Sequence, residues 1–154
     1  MRTLDDWFAG YSQDHRNPRN QVIHWICVPA ILWAVMAALW TIPVPASIGR
    51  PGFWCGMAMI GAFAFYWRRS KPIGLAMLVV FVAFGLFTEW LLRGIGPERL
   101  LWTATGVFVI AWIGQFIGHV IEGARPSFLT DLAYLLIGPA WLADKLMRRL
   151  QIHR

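Results

Sequence analysis

Long apolar runs, broken by short polar or proline-rich stretches, dominate the chain. Gln21 to Ile42, Gly52 to Trp67, Pro72 to Leu92 and Leu100 to Ile121 are the four longest. A hydrocarbon layer of about 30 Å takes roughly 20 helical residues, which three of these runs supply. The run from Gly52 to Trp67 gives only about 24 Å, so as a span it must stand nearly upright or thin the bilayer. Pro43, Pro45, Gly49 and Pro51 mark the turn before it. Upstream, TLDDWFAGYSQDHR predicts a short amphipathic helix: Thr3 can cap it, Asp5 and Asp6 suit its positive end, and Trp7, Tyr11 and His15 share a face. Asn17-Pro18 ends it. Downstream, Leu132 to Leu142 is too short to span and is interrupted by Gly138-Pro139, so it reads as a broken helix in the segment 127–150, lying in the interface or dipping into the bundle.

The expected architecture is therefore all-α, a single membrane domain over residues 1–154. It has four transmembrane helices (about 21–42, 52–67, 72–92 and 100–121), an amphipathic amino-terminal helix and a broken carboxy-terminal interfacial or re-entrant helix.

Composition sharpens this picture. Of the 154 residues, 58% belong to the hydrophobic set and only 14% are charged, against about 25% charged in soluble domains. So few charges cannot cover a water-facing surface, whereas lipid needs no such cover. The net charge of +6 is not a nucleic-acid stripe, because the basic residues lie between apolar runs. With four crossings, all of the 14 Lys and Arg except Arg50, Arg93 and Arg99 fall on one side. The positive-inside rule then puts both termini in the cytoplasm, at an inner membrane in a bacterium or the endoplasmic reticulum in a eukaryote. The polar first 20 residues, with Asp5, Asp6 and Asp14, argue against a cleavable leader. Cys27 and Cys55 open successive runs of opposite direction and are not expected to bond.

Ionisable groups at membrane depth are rare and usually face a partner or cavity. Of four histidines, His15, His24 and His119 are collected at one interface by a topology derived from Lys and Arg alone. Asn20, His24 and Cys27 share one helical face; Trp112, Gln115, His119 and Glu122 share another. Gly114 and Gly118 form a G-x-x-x-G that admits a neighbouring backbone beside His119. Three imidazoles near a carboxylate suit Zn, Fe, Cu or Ni better than Mg or Ca, and leave positions open for substrate and oxygen. The bland alternative makes these residues caps and packing groups. Glu89 and Arg93 read as an interfacial ion pair, Cys27 as a packing residue, and His153 as solvated in the tail.

YSQDHRNPRNQVIHWICVP (Tyr11 to Pro29), QFIGHVIEGARP (Gln115 to Pro126) and LLIGP (Leu135 to Pro139) resemble the Mpo-type 2-hydroxy fatty acid dioxygenases, small membrane proteins. The likeness covers both ends and the spacing between them, with Cys27 where a glycine is usual. It implies an Fe(II)-dependent enzyme that shortens a 2-hydroxy fatty acid by one carbon using molecular oxygen, with Zn a substitute after purification. Matched by position, His15, His24 and His119 would bind the metal, with Glu122 and Gln115 close by and Glu122 joining the catalytic set. Arg16, Arg19 or Arg125 would neutralise the substrate carboxylate, Arg125 first, and Asn20, Gln115 and Tyr11 complete the substrate-binding candidates. The acyl chain would lie among the spans in lipid. The rivals are a non-catalytic haem- or quinone-associated electron-transfer module and a structural membrane protein.

Overall fold

The computed structural model describes residues 3–123 and 134–152. Among them are six helices and no strand: α1 (Leu4–Gln13), α2 (Pro18–Trp40), α3 (Phe53–Trp67), α4 (Lys71–Ile95), α5 (Pro97–Glu122) and α6 (Tyr134–Arg149).

Local chemistry sets most boundaries. Thr3 and Asp6 form a reciprocal capping box at the start of α1. Asn17 caps α2 through Arg19 N, and Pro18 occupies the first turn, where its missing N–H costs nothing. Gly123 closes α5 at φ +72°, a left-handed conformation that penalises any side chain.

Three helices, α2, α4 and α5, are long and apolar enough to cross a membrane, rather than the four anticipated. The exception is α3, whose 15 residues rise about 22 Å. The prolines after α2 keep the chain non-helical to Gly52, which starts α3 at φ +87° with the Trp40 indole packed over its Cα. From there α3 runs back along α4 until the Tyr66 hydroxyl donates to the Leu136 carbonyl at 2.7 Å. Exposed apolar residues recur at helical spacing along α4 (Leu75, Val79, Val82, Leu86, Trp90) and α5 (Ile110, Ile113, Ile117, Val120). Such stripes would be untenable in water and are natural against lipid.

The carboxy-terminal segment also differs from expectation. Within the described residues α6 is one continuous helix through Pro139, not a broken one. It buries Ile137, Ala140, Trp141 and Met147 in the same cluster as Leu4, Phe8 and Tyr11 of α1. Gly138 permits this, because the Tyr11 hydroxyl would stand 3.2 Å from any Cβ there. Packing offsets the one hydrogen bond that the proline forfeits. The part of the segment before Tyr134 lies outside the described residues.

Both cysteines are buried and unbonded, and Arg93 pairs with Glu89 at 2.9 Å.

Candidate metal centre

The site is built where α2 and α5, running antiparallel, come closest. The two glycines of α5 make the approach: a Cβ on Gly114 would meet Cys27 Sγ at 2.6 Å, and one on Gly118 would overlap Asn20 Oδ1. Each glycine thus receives a side chain from the polar face of α2. That contact sets His24 and His119 opposite each other, ring centroids 5.2 Å apart.

His15 arrives from the short link between α1 and α2. Its ring stacks on Tyr11 at 4.0 Å, and its carbonyl accepts from Gln21 Nε2 at 2.9 Å. The link is pinned to α5 by Glu122, whose carboxylate accepts from Arg16 N at 2.8 Å, Asn17 N at 2.9 Å and Asn20 Nδ2 at 2.9 Å. Glu122 therefore acts at the rim as a tether, its oxygens engaged by N–H groups of the α1–α2 link and α2 rather than by the imidazoles. Such charge-assisted bonds are about twice as strong as neutral ones.

The three imidazoles are almost wholly buried, and each offers a ligand atom within 4.8 Å of the others. His15 Nδ1 lies 2.6 Å from the Tyr11 carbonyl and His24 Nδ1 lies 3.0 Å from the Asn20 carbonyl. A carbonyl can only accept, so both Nδ1 atoms carry the proton and both Nε2 atoms present lone pairs. Those Nε2 atoms face each other at 2.9 Å. Two buried acceptors turned on one another leave about 1–3 kcal/mol of unmet hydrogen-bonding each. A cation shared between them removes that cost. His119 Nδ1 is buried with no hydrogen-bond partner among the described residues. Burial is the largest influence on His15 and pulls its pKa down, against smaller upward effects of the Tyr11 carbonyl, Asp14 and Glu122. The ring is thereby held neutral, as metal ligation requires. The donor set fits a borderline transition ion.

Gln115 is buried one turn from His119. Burial pushes the Tyr11 phenol well above its ordinary value, with Asp14 adding to the effect, so it stays a proton donor. Arg16 and Arg19 are exposed at the rim. Arg125 and His153 lie outside the described residues.

Two residues that the sequence reading did not place at the site complete the surroundings. Trp141 donates to Ser12 Oγ at 2.8 Å and packs on Tyr11. Lys145 lies 3.8 Å over the Trp141 ring and donates to Gln21 Oε1 at 2.8 Å. Their i, i+4 spacing on α6 was a usable signal, but Lys145 reads in sequence as one more topogenic charge.

From the imidazoles a groove of about 340 Å³ descends between α2, α5 and α6, past Trp112 and Leu32 to Val35, Phe108 and Met59. Its polar groups are concentrated at the histidine end and the remainder is apolar. The stretch of α5 from Phe108 to His119 rises about 16 Å, close to half the hydrocarbon thickness and hence to one lipid tail.

The family model described as 2-hydroxy-palmitic acid dioxygenase Mpo1-like matches residues 1–150. The chain is 30% identical over 128 residues to 2-hydroxy-palmitic acid dioxygenase MPO1 of Saccharomyces cerevisiae, covering 82% of this chain and 69% of the relative. No solved structure matches. A polar cluster of three histidines above an apolar groove thus sits in a chain matched along nearly its whole length, and the chain belongs to the Mpo1-like family.

Proposed function

We propose that this protein is an iron(II)-dependent dioxygenase that converts a 2-hydroxy fatty acid and O2 into the fatty acid one carbon shorter, CO2 and water. The observation that carries the reading is the pair of buried Nε2 lone pairs 2.9 Å apart, with His119 beside them. His15, His24 and His119 would hold the metal. Iron(II), when bound, supplies the oxygen-activating redox chemistry that cleavage of the C1–C2 bond requires.

The chain's own residues do the rest. The Tyr11 and Asn20 carbonyls fix the tautomers of His15 and His24, so that both lone pairs point inward. Glu122 keeps the His15 link against α5. The groove takes the acyl tail out of water and brings the hydroxy-acid head to the imidazoles. Tyr11 and Gln115 line that end and can donate hydrogen bonds to the head. Trp141 and α6 cover the site and keep bulk water from it. The relative's name supports the substrate class, and the three apolar helices support a membrane location in which such a substrate is already dissolved.

The test is elemental analysis of purified protein together with turnover of 2-hydroxypalmitate. His24→Ala and His119→Ala are each expected to lose most bound iron and at least about 100-fold in pentadecanoate formation. Iron content and turnover unchanged in both variants would reject the assignment.

A further inference from the structure

The acyl groove does not end against a thick wall. On the far side of Met59 lies a second apolar cavity of about 390 Å³, reaching Met36, Trp40, Gly85 and Glu89 between α2, α3 and α4. Among the described residues, Met59 is the one that lines both. It is half-buried and packs against the core that includes Met36. The α2 side of the divide is just as thin: Val35 lines the first cavity and its neighbour Met36 the second. One turn before Met59, Gly56 also lines the second cavity but brings no side chain to the wall.

We propose that Met59 is the specificity-determining partition of this enzyme, setting how long an acyl tail the site accepts. The inference rests on the function proposed above and adds to it the determinant of chain length. With Met59 in place, the tail has the depth from the histidines to Val35, about 16 Å along α2. With the partition removed, the path continues toward Trp40, about 24 Å from the level of His24. An unbranched thioether suits such a place, since it fills an irregular gap and can be displaced at small cost. Each methylene that must be left outside or crushed costs about tenfold in selectivity, so a single side chain here moves the whole length profile.

The test pairs turnover with metal-free binding. Rates on 2-hydroxymyristate, 2-hydroxypalmitate and 2-hydroxydocosanoate are compared for wild type, Met59→Ala, Met59→Phe and the near-isosteric Met59→Leu. Binding of the same acids carrying a terminal bromine is followed by tryptophan quenching, with Trp40→Phe backgrounds isolating the second cavity. Met59→Ala is expected to raise the docosanoate-to-palmitate ratio by about tenfold or more and to create Trp40-dependent quenching by the bromodocosanoate. Met59→Phe should shift the profile toward myristate, and Met59→Leu should leave it in place. An unchanged profile and unchanged quenching in both Met59→Ala and Met59→Phe would overturn the partition while leaving the proposed function intact. Failure of every 2-hydroxy acid to bind wild-type protein would instead overturn the function and the partition with it.

Discussion

The α2–α5 pair and the α3–α4 hairpin are made of similar apolar residues, yet only the first carries chemistry. In the α2–α5 pair each glycine of the G-x-x-x-G is filled by a side chain of the facing helix, Cys27 in one case and Asn20 in the other. In the hairpin, Gly56 and Gly61 meet nothing within 4 Å of where a Cβ would sit. There the helices pack through large side chains such as Tyr66, Met77 and Phe81. Close backbone approach lets short polar side chains reach across, so Asn20, His24, Gln115 and His119 are buried together. Of the hairpin's polar contacts, Glu89 with Trp40 and with Arg93 sits at the far end and is partly exposed, while Tyr66 and the buried Thr88 each bond singly outside the hairpin, to the Leu136 carbonyl and the Trp33 indole. A motif of two glycines is thus informative only when something occupies the space they leave.

That contrast can be broken or sharpened in order of expected effect. Gly118→Val should be the most damaging change, because its Cβ has no place beside Asn20. Wedging α2 from α5 is expected to cost about 1–3 kcal/mol or more of stability and to release most of the iron, read by thermal unfolding in detergent and by metal analysis. Glu122→Gln should come next. The tether weakens while the three imidazoles remain, so iron affinity should fall about 10–100-fold. Loss as complete as in the histidine variants would make Glu122 a ligand instead of a tether. Gly61→Ala should do least: with open space around it, stability should change by no more than about 1 kcal/mol, and iron content should stay at the wild-type level.

The sequence was legible wherever one residue type has one physical reason to be where it is. Thr3 marks a helix start by local hydrogen bonding, whereas Asn17-Pro18, read as the end of the first helix, also caps and opens α2. Histidine is costly in an apolar run, so His24 and His119 drew attention without any structure. The polar face of Trp112, Gln115, His119 and Glu122 was visible from spacing, and α5 indeed turns Gln115 and His119 inward and Glu122 toward the α1–α2 link. Spacing was weaker where tertiary packing competes with local rules. Gly138-Pro139 reads as a break, yet α6 continues through it because Tyr11 and Val28 use the room that the glycine leaves. Composition alone made α3 a span, whereas its length falls short.

The chain by itself determined an all-helical, lipid-compatible protein and the three imidazoles at its disposal, because burial periodicity, capping and the cost of polar groups in hydrocarbon act on each segment alone. Only the tertiary structure decided that the His15 and His24 lone pairs meet 2.9 Å apart, that Glu122 ties the link to α5, and that Met59 divides two cavities. Those are distances between residues remote in sequence, fixed by how closely helices approach and by which carbonyl takes each ring proton, and no local rule specifies them.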